Sequence, residues 1–255
     1  MPKQKQRDYQ MSIRKIGVVI PAHDEAALIV ACLRSVDRAA AYMKAVGVDV
    51  TIHVVCDACS DGTATHVLAR GIQPLMANLR NVGAARAIGA TAALAAGAEW
   101  LAFTDADTEV SATWLLDQIA LRADAVCGTI DVANWGTYGA RMHEHFGLTY
   151  RDVDGHRHIH GANFGISAAA YRATGGFKSL ASHEDVALVQ ALIGGCFNIA
   201  WSAVPRVTTS ARADYRAPGG FGATLERVGA ALVESTKPAR KTFEHLMPEP
   251  EVAGA

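Results

Sequence analysis

The sequence predicts an α/β fold with a doubly wound, mostly parallel sheet and helices on both faces. Short apolar runs rich in β-branched residues alternate with helical patterns along the chain, as is typical of βαβ units. The chain has 255 residues, half of them hydrophobic, which is enough to bury a full core. The apolar run 100–104 ends in two aspartates, Asp105 and Asp107. Because open α/β sheets bind ligands at the carboxyl ends of their strands, we expect the functional site there.

The predicted strands are short apolar runs that end at turn residues, as buried parallel strands do. They cover residues 16–20, 50–55, 71–76, 100–104, 124–130 and 197–204. The segment 134–160 is less regular and carries five of the ten histidines, and a compact apolar segment, 161–167, follows it. No internal repeat or domain linker interrupts the series. We therefore expect one domain over residues 16–235, between a flexible leader (1–15) and a disordered tail (236–255).

The predicted helices follow the strands and place apolar residues at helical spacing. They cover residues 25–42, 63–70, 81–97, 113–122, 168–174, 186–193 and 224–234. In the first of them, Leu28, Cys32 and Val36 share one face. Ser111 has the residue type of an N-cap for the fourth helix.

Composition excludes several classes of function. The formal net charge of −1 gives no electrostatic case for nucleic-acid binding. No stretch approaches the roughly 18 uncharged apolar residues of a membrane span, and the first apolar run is too short for a secretory signal. We therefore expect a protein without a transmembrane segment, in the cytoplasm or at the inner face of its membrane.

The cysteine pattern favours neither disulfides nor a metal centre. Five cysteines are an odd number, which speaks against a disulfide framework. Cys56 and Cys59 form a Cys-x-x-Cys pair, but the turn and helix cap at 60–63 follow both of them. A redox pair usually has its first cysteine at a helix N-terminus. No second cysteine pair completes a zinc site.

Six motifs, in order and at matching spacing, resemble the signatures of family 2 glycosyltransferases over residues 16–210. They are Val-Val-Ile-Pro-Ala-His-Asp-Glu (18–25), Val-Val-Cys-Asp-Ala-Cys-Ser-Asp-Gly-Thr (54–63), residues 81–86, Phe-Thr-Asp-Ala-Asp (103–107), Gly-Ala-Asn-Phe-Gly-Ile (161–166) with Gly-Gly-Phe (175–177), and Glu-Asp (184–185). The resemblance implies the GT-A fold, with a Rossmann-like nucleotide-binding half (16–108) and an acceptor half (109–235). It also implies a nucleotide-sugar donor, an acceptor hydroxyl and a divalent metal, Mn²⁺ or Mg²⁺. Departures from the family pattern at 56–60 and at Ala87 concern which nucleotide is bound.

The same resemblance assigns roles residue by residue. The donor site would comprise Pro21, Ala22, His23, Glu25, Asp57, Asn81, Gly83, Arg86, Asp105 and Ala106. Within it, Asp57 would hydrogen-bond the base, and Asp107, together with Asp105, would hold the metal. Asp185, beside Glu184, would be the base that activates the acceptor.

These residue types suit the chemistry of sugar transfer. A nucleotide sugar leaves as a diphosphate, and a hard cation held by Asp105 and Asp107 stabilises that charge as a Lewis acid. Two neighbouring carboxylates in a partly buried cleft raise the pKa of one of them, so Glu184 and Asp185 suit general-base work, with Asp185 as the base. Single displacement would invert the anomeric carbon, with a UDP-sugar as the favoured donor. The alternative for Glu184 and Asp185 is an acidic first turn that a helix dipole stabilises.

Further side chains have two interpretations each. Candidates for acceptor or lid contacts are Asn163, His183, Trp135 and Arg212. Trp135, Tyr138 and Tyr150 either stack on a flat acceptor face or pack in the core. The alternating histidines of segment 156–160 either bind a metal or, as we favour, form a strand rim near the acceptor.

The arginines near the carboxyl end also have two interpretations. Arg206, Arg212 and Arg216 lie beside Gly219 and Gly220. They would form either a mobile lid over the diphosphate or a solvated basic loop.

Two other functions compete with the transferase. The run 101–108 also resembles the nucleophile motif of haloacid dehalogenase phosphohydrolases, with Asp105 as nucleophile and Asp107 as acid and base. That motif usually opens its domain, whereas three strand–helix units precede it here, and the first two motifs stay unexplained. The second alternative is a nucleotide-sugar-binding protein without turnover, against which the presence of Asp105, Asp107 and Asp185 argues.

Overall fold

The computed structural model describes residues 13–180, 182–212 and 220–234. The leader up to residue 12, Arg216 and the predicted tail lie outside the described residues. Eight strands of the described part form one sheet. They are β1 (Lys15–Ala22), β2 (Asp49–Asp57), β3 (Leu75–Ala77), β4 (Trp100–Phe103), β5 (Glu109–Val110), β6 (Ala125–Val132), β7 (Phe164–Ser167) and β8 (Ile199–Thr209).

The strands lie in the order β3-β2-β1-β4-β7-β6-β8-β5. β1 is parallel to β2 and β4, β2 is parallel to β3, and β6 is parallel to β8. β7 is antiparallel to both of its neighbours, and β5 is antiparallel to β8. The mostly parallel α/β sheet is therefore confirmed, and the two antiparallel strands are its additional feature.

Helices cover both faces of this sheet. They are α1 (Ile29–Ala45), α2 (Thr63–Ala69), α3 (Val82–Ala95), α4 (Trp114–Ala120), α5 (Gly139–Thr149), α6 (Ala168–Ala173), α7 (Glu184–Gly194) and α8 (Phe221–Glu234). Two core clusters lie on opposite faces, because successive strand residues point to opposite sides. In β1, Val18 and Ile20 pack with α1, whereas Val19 packs with α3 and α7. This arrangement confirms the doubly wound sheet.

Small residues let α3 lie close to the sheet. A Cβ on Gly89 would fall 2.4 Å from Cγ1 of Val19, and a Cβ on Gly17 would fall 2.5 Å from Cβ of Ala93. Both contacts are far shorter than real Cβ contacts, so larger residues would push the helix away. The Ala- and Gly-rich composition of α3 is thus a packing requirement.

Some elements differ from the predicted ones. Residues 139–149, predicted as irregular, form α5. The first helix begins at Ile29 rather than at residue 25, because residues 23–28 form the loop that follows β1. Ser111 is not the N-cap of α4, since Thr113 directly precedes the helix. The Ser111 carbonyl accepts the Trp114 N–H at 3.2 Å, and its hydroxyl lies 3.4 Å from that of Thr113.

The carboxyl ends of three neighbouring strands meet at one edge of the sheet. The register pairs Ala22 with Cys56 and Val19 with Phe103, so the carboxyl ends of β1, β2 and β4 lie side by side. β8 is longer than predicted and runs to Thr209, which carries the chain back toward the same edge. The expected location of the site is therefore a real meeting point of several loops.

Candidate functional site

A cavity of about 440 Å³ opens at this edge of the sheet. Most of the predicted site residues line it, namely Pro21, Ala22, His23, Glu25, Asp57, Asn81, Arg86, Asp105, Ala106, Asp107, His183, Glu184, Asp185 and Arg212. Gly83, Asn163 and Trp135 do not line it.

Asp105 and Asp107 lie in the tight turn that follows β4. The backbone N–H of Thr108 donates to the Asp105 carbonyl at 3.1 Å and closes the turn. The Asp107 side chain is only 16% exposed. Burial raises the pKa of Asp107 to about 7, and the charges of Asp105 and Glu25 act in the same direction. A cation placed here would relieve this crowding of negative charge.

Arg212 brings a positive charge from the end of β8 to these carboxylates. Its guanidinium donates to both carboxylate oxygens of Glu25, with 2.5 Å between Nη1 and Oε2. Nη2 also lies 3.6 Å from Oδ2 of Asp107. Glu25 is buried, and its backbone N–H donates to the Thr63 hydroxyl at 2.8 Å. Arg212 thus serves as a counter-ion to Glu25 and Asp107, inside the cavity rather than in a solvated loop.

Arg86 lies on α3 and is 3% exposed. Its Nη2 donates to Oδ1 of Asp105 at 2.6 Å, and its Nη1 donates to the Glu184 carboxylate. The guanidinium lies 5.7 Å from the ring centre of Phe177. A Cβ on Gly161 would fall 2.4 Å from the same guanidinium, so a larger residue there would displace the arginine from its two carboxylates. Arg86 therefore connects the loop after β4 with the start of α7.

The two adjacent acids that begin α7 have different environments. They follow His183, whose φ of 60° is in the left-handed region. Glu184 is buried against Arg86, and burial raises its pKa while the charge of Arg86 opposes that shift. Asp185 is half-buried, and its Oδ2 accepts the backbone N–H of Gly161 at 2.8 Å. Asp185 is thus the acid of this pair that backbone N–H groups orient, whereas Arg86 donates to Glu184.

Asp57 ends β2 and fixes the loop that precedes α3. Its Oδ1 accepts the backbone N–H of Leu79 at 2.6 Å, and its Oδ2 accepts that of Asn81 at 2.8 Å. Asn81 in turn caps α3, since its side chain accepts the Ala84 N–H at 2.9 Å. Nδ1 of His23 lies 2.7 Å from the Asp57 carbonyl oxygen. These bonds tie the first three motifs together, and the contact of Asp57 with a base stays a prediction.

Asn163 is buried beneath the cavity. Its Oδ1 accepts the indole N–H of Trp114 at 2.9 Å. Its Nδ2 donates to the carbonyls of Thr129, at 2.7 Å, and of Pro205. The amide is thus engaged on both sides by the protein, which makes it a link between α4, β6 and β8 rather than an acceptor contact.

Trp135 and Gly83 also have structural surroundings. The Trp135 ring stacks on His143 at 5.6 Å between centroids and packs on Phe146 at 5.2 Å. Core packing is therefore its observed role. A Cβ on Gly83 would fall 2.2 Å from the Lys178 carbonyl oxygen, so this glycine allows the loop before α7 to reach α3.

Tyr150 and the histidine segment line the other side of the cavity, together with Ile130 and Phe221. The segment 156–160 carries no strand, contrary to the predicted rim, although it does border the cavity. Ile130 and Phe221 were missed because each is an ordinary apolar residue in its element, and no sequence signal separates it from core.

Among the described residues, one set of three or more potential metal ligands lies close together, namely Asp24, Cys59 and Asp61. The histidines of the described part do not form such a set. The carboxylates of Asp24 and Asp61 already accept backbone N–H bonds. Burial raises the pKa of Cys56 to about 12, with the neighbouring Cys59 adding to the shift. Protonated thiols are poor nucleophiles, which agrees with the prediction against a redox pair.

The model of the family described as Glycosyl transferase family 2 matches residues 17–182. The chain belongs to this family. It is therefore a glycosyltransferase, and the phosphohydrolase alternative is wrong. The match ends just before Glu184 and Asp185, so the location of these acids in the cavity comes from the structure. No curated protein matches the chain significantly.

Three solved structures illustrate the fold. S. aureus TarS 1-349 in complex with UDP-GlcNAc has a TM-score of 0.61 at 15% identity, covering 91% of this chain and 69% of that chain. The mannosyltransferase PcManGT from Pyrobaculum calidifontis, in complex with GDP-Man and Mn²⁺, has a TM-score of 0.62 at 14% identity and coverages of 95% and 74%. Glucosyl-3-phosphoglycerate synthase from Mycobacterium tuberculosis, with Mg²⁺ and UDP, has a TM-score of 0.53 at 17% identity and coverages of 81% and 74%. The fold is the GT-A fold that the resemblance implied.

None of the helices in the described part of the chain combines the length and the apolar character that crossing a membrane requires.

Proposed function

We propose that this glycosyltransferase moves a sugar from a nucleoside diphosphate donor to an acceptor hydroxyl, with a divalent cation held by Asp107 and Asp105. The observation that carries the proposal is the charge of the cavity. Six carboxylates and three guanidinium groups of the described residues line it, an excess of three formal negative charges. An anionic diphosphate is repelled from such a cavity unless a cation enters with it.

The residues fit a hard divalent cation. Carboxylate oxygens are the ligands that Mg²⁺ and Mn²⁺ prefer. Asp107 is a largely buried carboxylate whose raised pKa reflects burial and the nearby charge of Asp105. A cation bound there would supply Lewis acidity to the leaving diphosphate, an effect of several kcal/mol.

The remaining donor-side residues would neutralise the diphosphate and position the groups that surround the nucleotide. The Arg212 guanidinium lies beside Asp107 and adds a second positive charge at the place where the diphosphate would bind. Arg86 holds the Asp105 carboxylate through Oδ1. The Asp57 bonds to Leu79 and Asn81 hold the loop that would border the nucleoside.

Asp185 is proposed as the general base. It lies at the cavity, its carboxylate is oriented by the Gly161 N–H, and Arg86 engages its neighbour Glu184 instead. A base must lie within hydrogen-bond reach of the acceptor hydroxyl, and Asp185 borders both the donor side and the aromatic side. Single displacement with such a base inverts the anomeric carbon.

A UDP-sugar is the favoured donor. UDP or a UDP-sugar is bound in the S. aureus and M. tuberculosis structures, and GDP-Man in the one from P. calidifontis. The cytoplasmic location predicted from sequence stays a prediction.

Thermal unfolding with nucleoside diphosphates tests this proposal. UDP, GDP, TDP and CDP are each added with Mn²⁺ and with EDTA. A ligand at 100 times its Kd stabilises the native state by about 2.7 kcal/mol. We expect one nucleotide, UDP first, to raise the Tm only when Mn²⁺ is present. No shift with any of them would contradict the donor class, and an equal shift in EDTA would contradict the metal dependence.

Hydrolysis of the donor separates an enzyme from a binding protein. We expect slow, Mn²⁺-dependent release of the nucleoside diphosphate from its sugar when no acceptor is present. Binding without any release, with or without acceptors, would favour a protein that has lost turnover.

A further inference from the structure

One wall of the cavity differs in chemistry from the donor side. This acceptor-side wall consists of Ile130, Tyr150, His158, Ile159, His160 and Phe221. It begins next to Asp185, because Gly161, which donates to the Asp185 carboxylate, directly follows His160. A molecule on this wall would therefore present its hydroxyl to the proposed base.

Stacked rings make the wall rigid. Tyr150 and His158 are nearly parallel, with 4.1 Å between ring centroids and 9° between planes. Phe146 stacks on the other face of this group, 4.5 Å from Tyr150. Phe221, at the start of α8, meets His160 edge to face at 6.4 Å. Tyr150 is only 8% exposed, and Ile130, His158 and Ile159 are buried as well. A ligand would therefore contact mainly the half-buried side chains of His160 and Phe221, and aromatic side chains bind flat rings well.

The wall is also uncharged near neutral pH. Burial lowers the pKa of His158 to about 4 and that of His160 to about 3, and the neighbouring histidines act in the same direction. Among the cavity-lining residues that the structure describes, the three arginines are Arg80, Arg86 and Arg212, and none belongs to this wall. Arg86 and Arg212 are also engaged by carboxylates. A phosphate or carboxylate on the acceptor would find negative Asp185 nearby and no wall cation among these residues.

Most hydrogen-bonding capacity of the wall is used internally. The Tyr150 hydroxyl accepts the Ile130 N–H at 3.0 Å and lies 3.0 Å from Nε2 of His160. Whichever of the two side chains donates, this contact occupies both the Tyr150 hydroxyl and Nε2 of His160. An acceptor with many hydroxyls would leave several of them without partners against this wall, which weakens binding.

We propose that the acceptor is an uncharged alcohol or phenol with a flat apolar ring, which lies on this wall and presents its hydroxyl to Asp185. This rests on the proposed transferase function and adds the class of acceptor. Sugar phosphates and carboxylated acceptors would be discriminated against by charge, and polyols by their unpaired hydroxyls.

A matched pair of fluorescent ligands tests the class. 2-Naphthol and 2-naphthyl phosphate share one ring system and differ by a charged group, and methyl glucoside represents a polyol. Binding is measured by fluorescence titration, or by calorimetry for the glucoside, with Mn²⁺ and a saturating nucleoside diphosphate to fill the donor site. We expect 2-naphthol to bind at least tenfold more tightly than either other ligand. Equal or tighter binding of the phosphate or the glucoside would overturn the inference.

Variants of Phe221 locate the binding. Phe221→Ala should weaken 2-naphthol at least fivefold, and Phe221→Lys should reverse the preference in favour of 2-naphthyl phosphate. Glu226→Ala, at an exposed position of α8, is the control and should change neither affinity. Unchanged 2-naphthol binding in both Phe221 variants would place the ligand elsewhere and overturn the assignment of the wall.

The nucleotide titration distinguishes this failure from failure of the proposed function. Nucleoside diphosphate binding together with a preference for the charged or polyol ligand would refute the acceptor class alone. Absence of nucleoside diphosphate binding in the unmodified protein would refute the proposed function and the inference that rests on it.

Discussion

Charged side chains hold the donor side of the cavity, whereas stacked rings hold the acceptor side. On the donor side, Arg86 and Arg212 each join two carboxylates from different segments. On the acceptor side, Tyr150 and His158 are stacked, and burial keeps the histidines neutral by lowering their pKa. The donor side is thus built to handle an anion with cations, and the acceptor side is built for a neutral partner.

Asp185 stands at the border of the two sides, and its loss should have the largest effect. Asp185→Asn keeps the size of the side chain and removes the base, so we expect transfer to fall about 10²- to 10⁴-fold. Initial rates with donor and acceptor in excess measure this. Asp152→Asn removes an exposed carboxylate that pairs with Arg206 and should leave the rate unchanged. Near-full transfer by Asp185→Asn would show that the base is another residue.

Breaking the charged framework of the donor side should cost stability. Arg86→Met leaves Asp105 and buried Glu184 without their counter-ion, and loss of one partner of a buried pair costs about 3–5 kcal/mol. Urea denaturation without ligand gives the free energy of unfolding. Arg70→Met removes an exposed pair with Asp37 and should cost less than about 1 kcal/mol. Equal losses in both variants would contradict the bridging role of Arg86.

The neutral histidines should make the acceptor side sensitive to acid. The pKa of His160 is about 3 in the folded protein, because of burial and then the charge of His158, whereas an unfolded histidine has a pKa of about 6.5. Unfolding therefore takes up a proton between these values, and stability present above pH 6.5 is lost as pH falls. The free energy of unfolding should fall between pH 7 and pH 5, and His160→Gln should make that fall about 2 kcal/mol smaller.

Urea denaturation at several pH values measures this difference. His66→Gln, which removes an exposed histidine of α2, is the matched control and should keep the dependence of the unmodified protein. If His160→Gln left the pH dependence of the free energy of unfolding unchanged, this histidine would not be buried in its neutral form.

Removal of the Arg212 charge should make the donor side more negative and increase its difference from the neutral acceptor side. Arg212→Gln leaves Glu25 and Asp107 without that charge, so the affinity for Mn²⁺ in the absence of nucleotide should rise about tenfold. Electron paramagnetic resonance of free Mn²⁺ measures the affinity. Arg206→Gln, which removes an arginine of the exposed pair with Asp152, should not change it. A lower affinity in Arg212→Gln would contradict the idea that arginine and metal compete for these carboxylates.

The sequence was informative where the determinants are local. The strand before Asp105 and the helix that opens at residue 81 are read from a few adjacent residues, and both are present as expected. The strand and helix alternation likewise predicted the doubly wound sheet. β5 was missed because it has only two residues and depends on pairing with the distant β8.

The site was less predictable where it depends on distant contacts. Glu184 and Arg86 are 98 positions apart, and Glu25 and Arg212 are 187 apart, so neither pair leaves a pattern in the sequence. For the same reason the burial of Asn163 could not be anticipated. Its residue type suits acceptor recognition, yet the three-dimensional surroundings engage its amide entirely within the protein.

The most direct test of the account is a calorimetric titration of two variants, Asp107→Asn and Asp185→Asn, with the nucleoside diphosphate that stabilises the unmodified protein, in the presence of Mn²⁺. Asp107 belongs to the donor side and Asp185 to the border with the acceptor side. We predict that Asp107→Asn abolishes Mn²⁺-dependent binding, whereas Asp185→Asn binds within about threefold of the unmodified protein. Equal loss of binding in the two variants would contradict the division of the cavity into a donor side and an acceptor side.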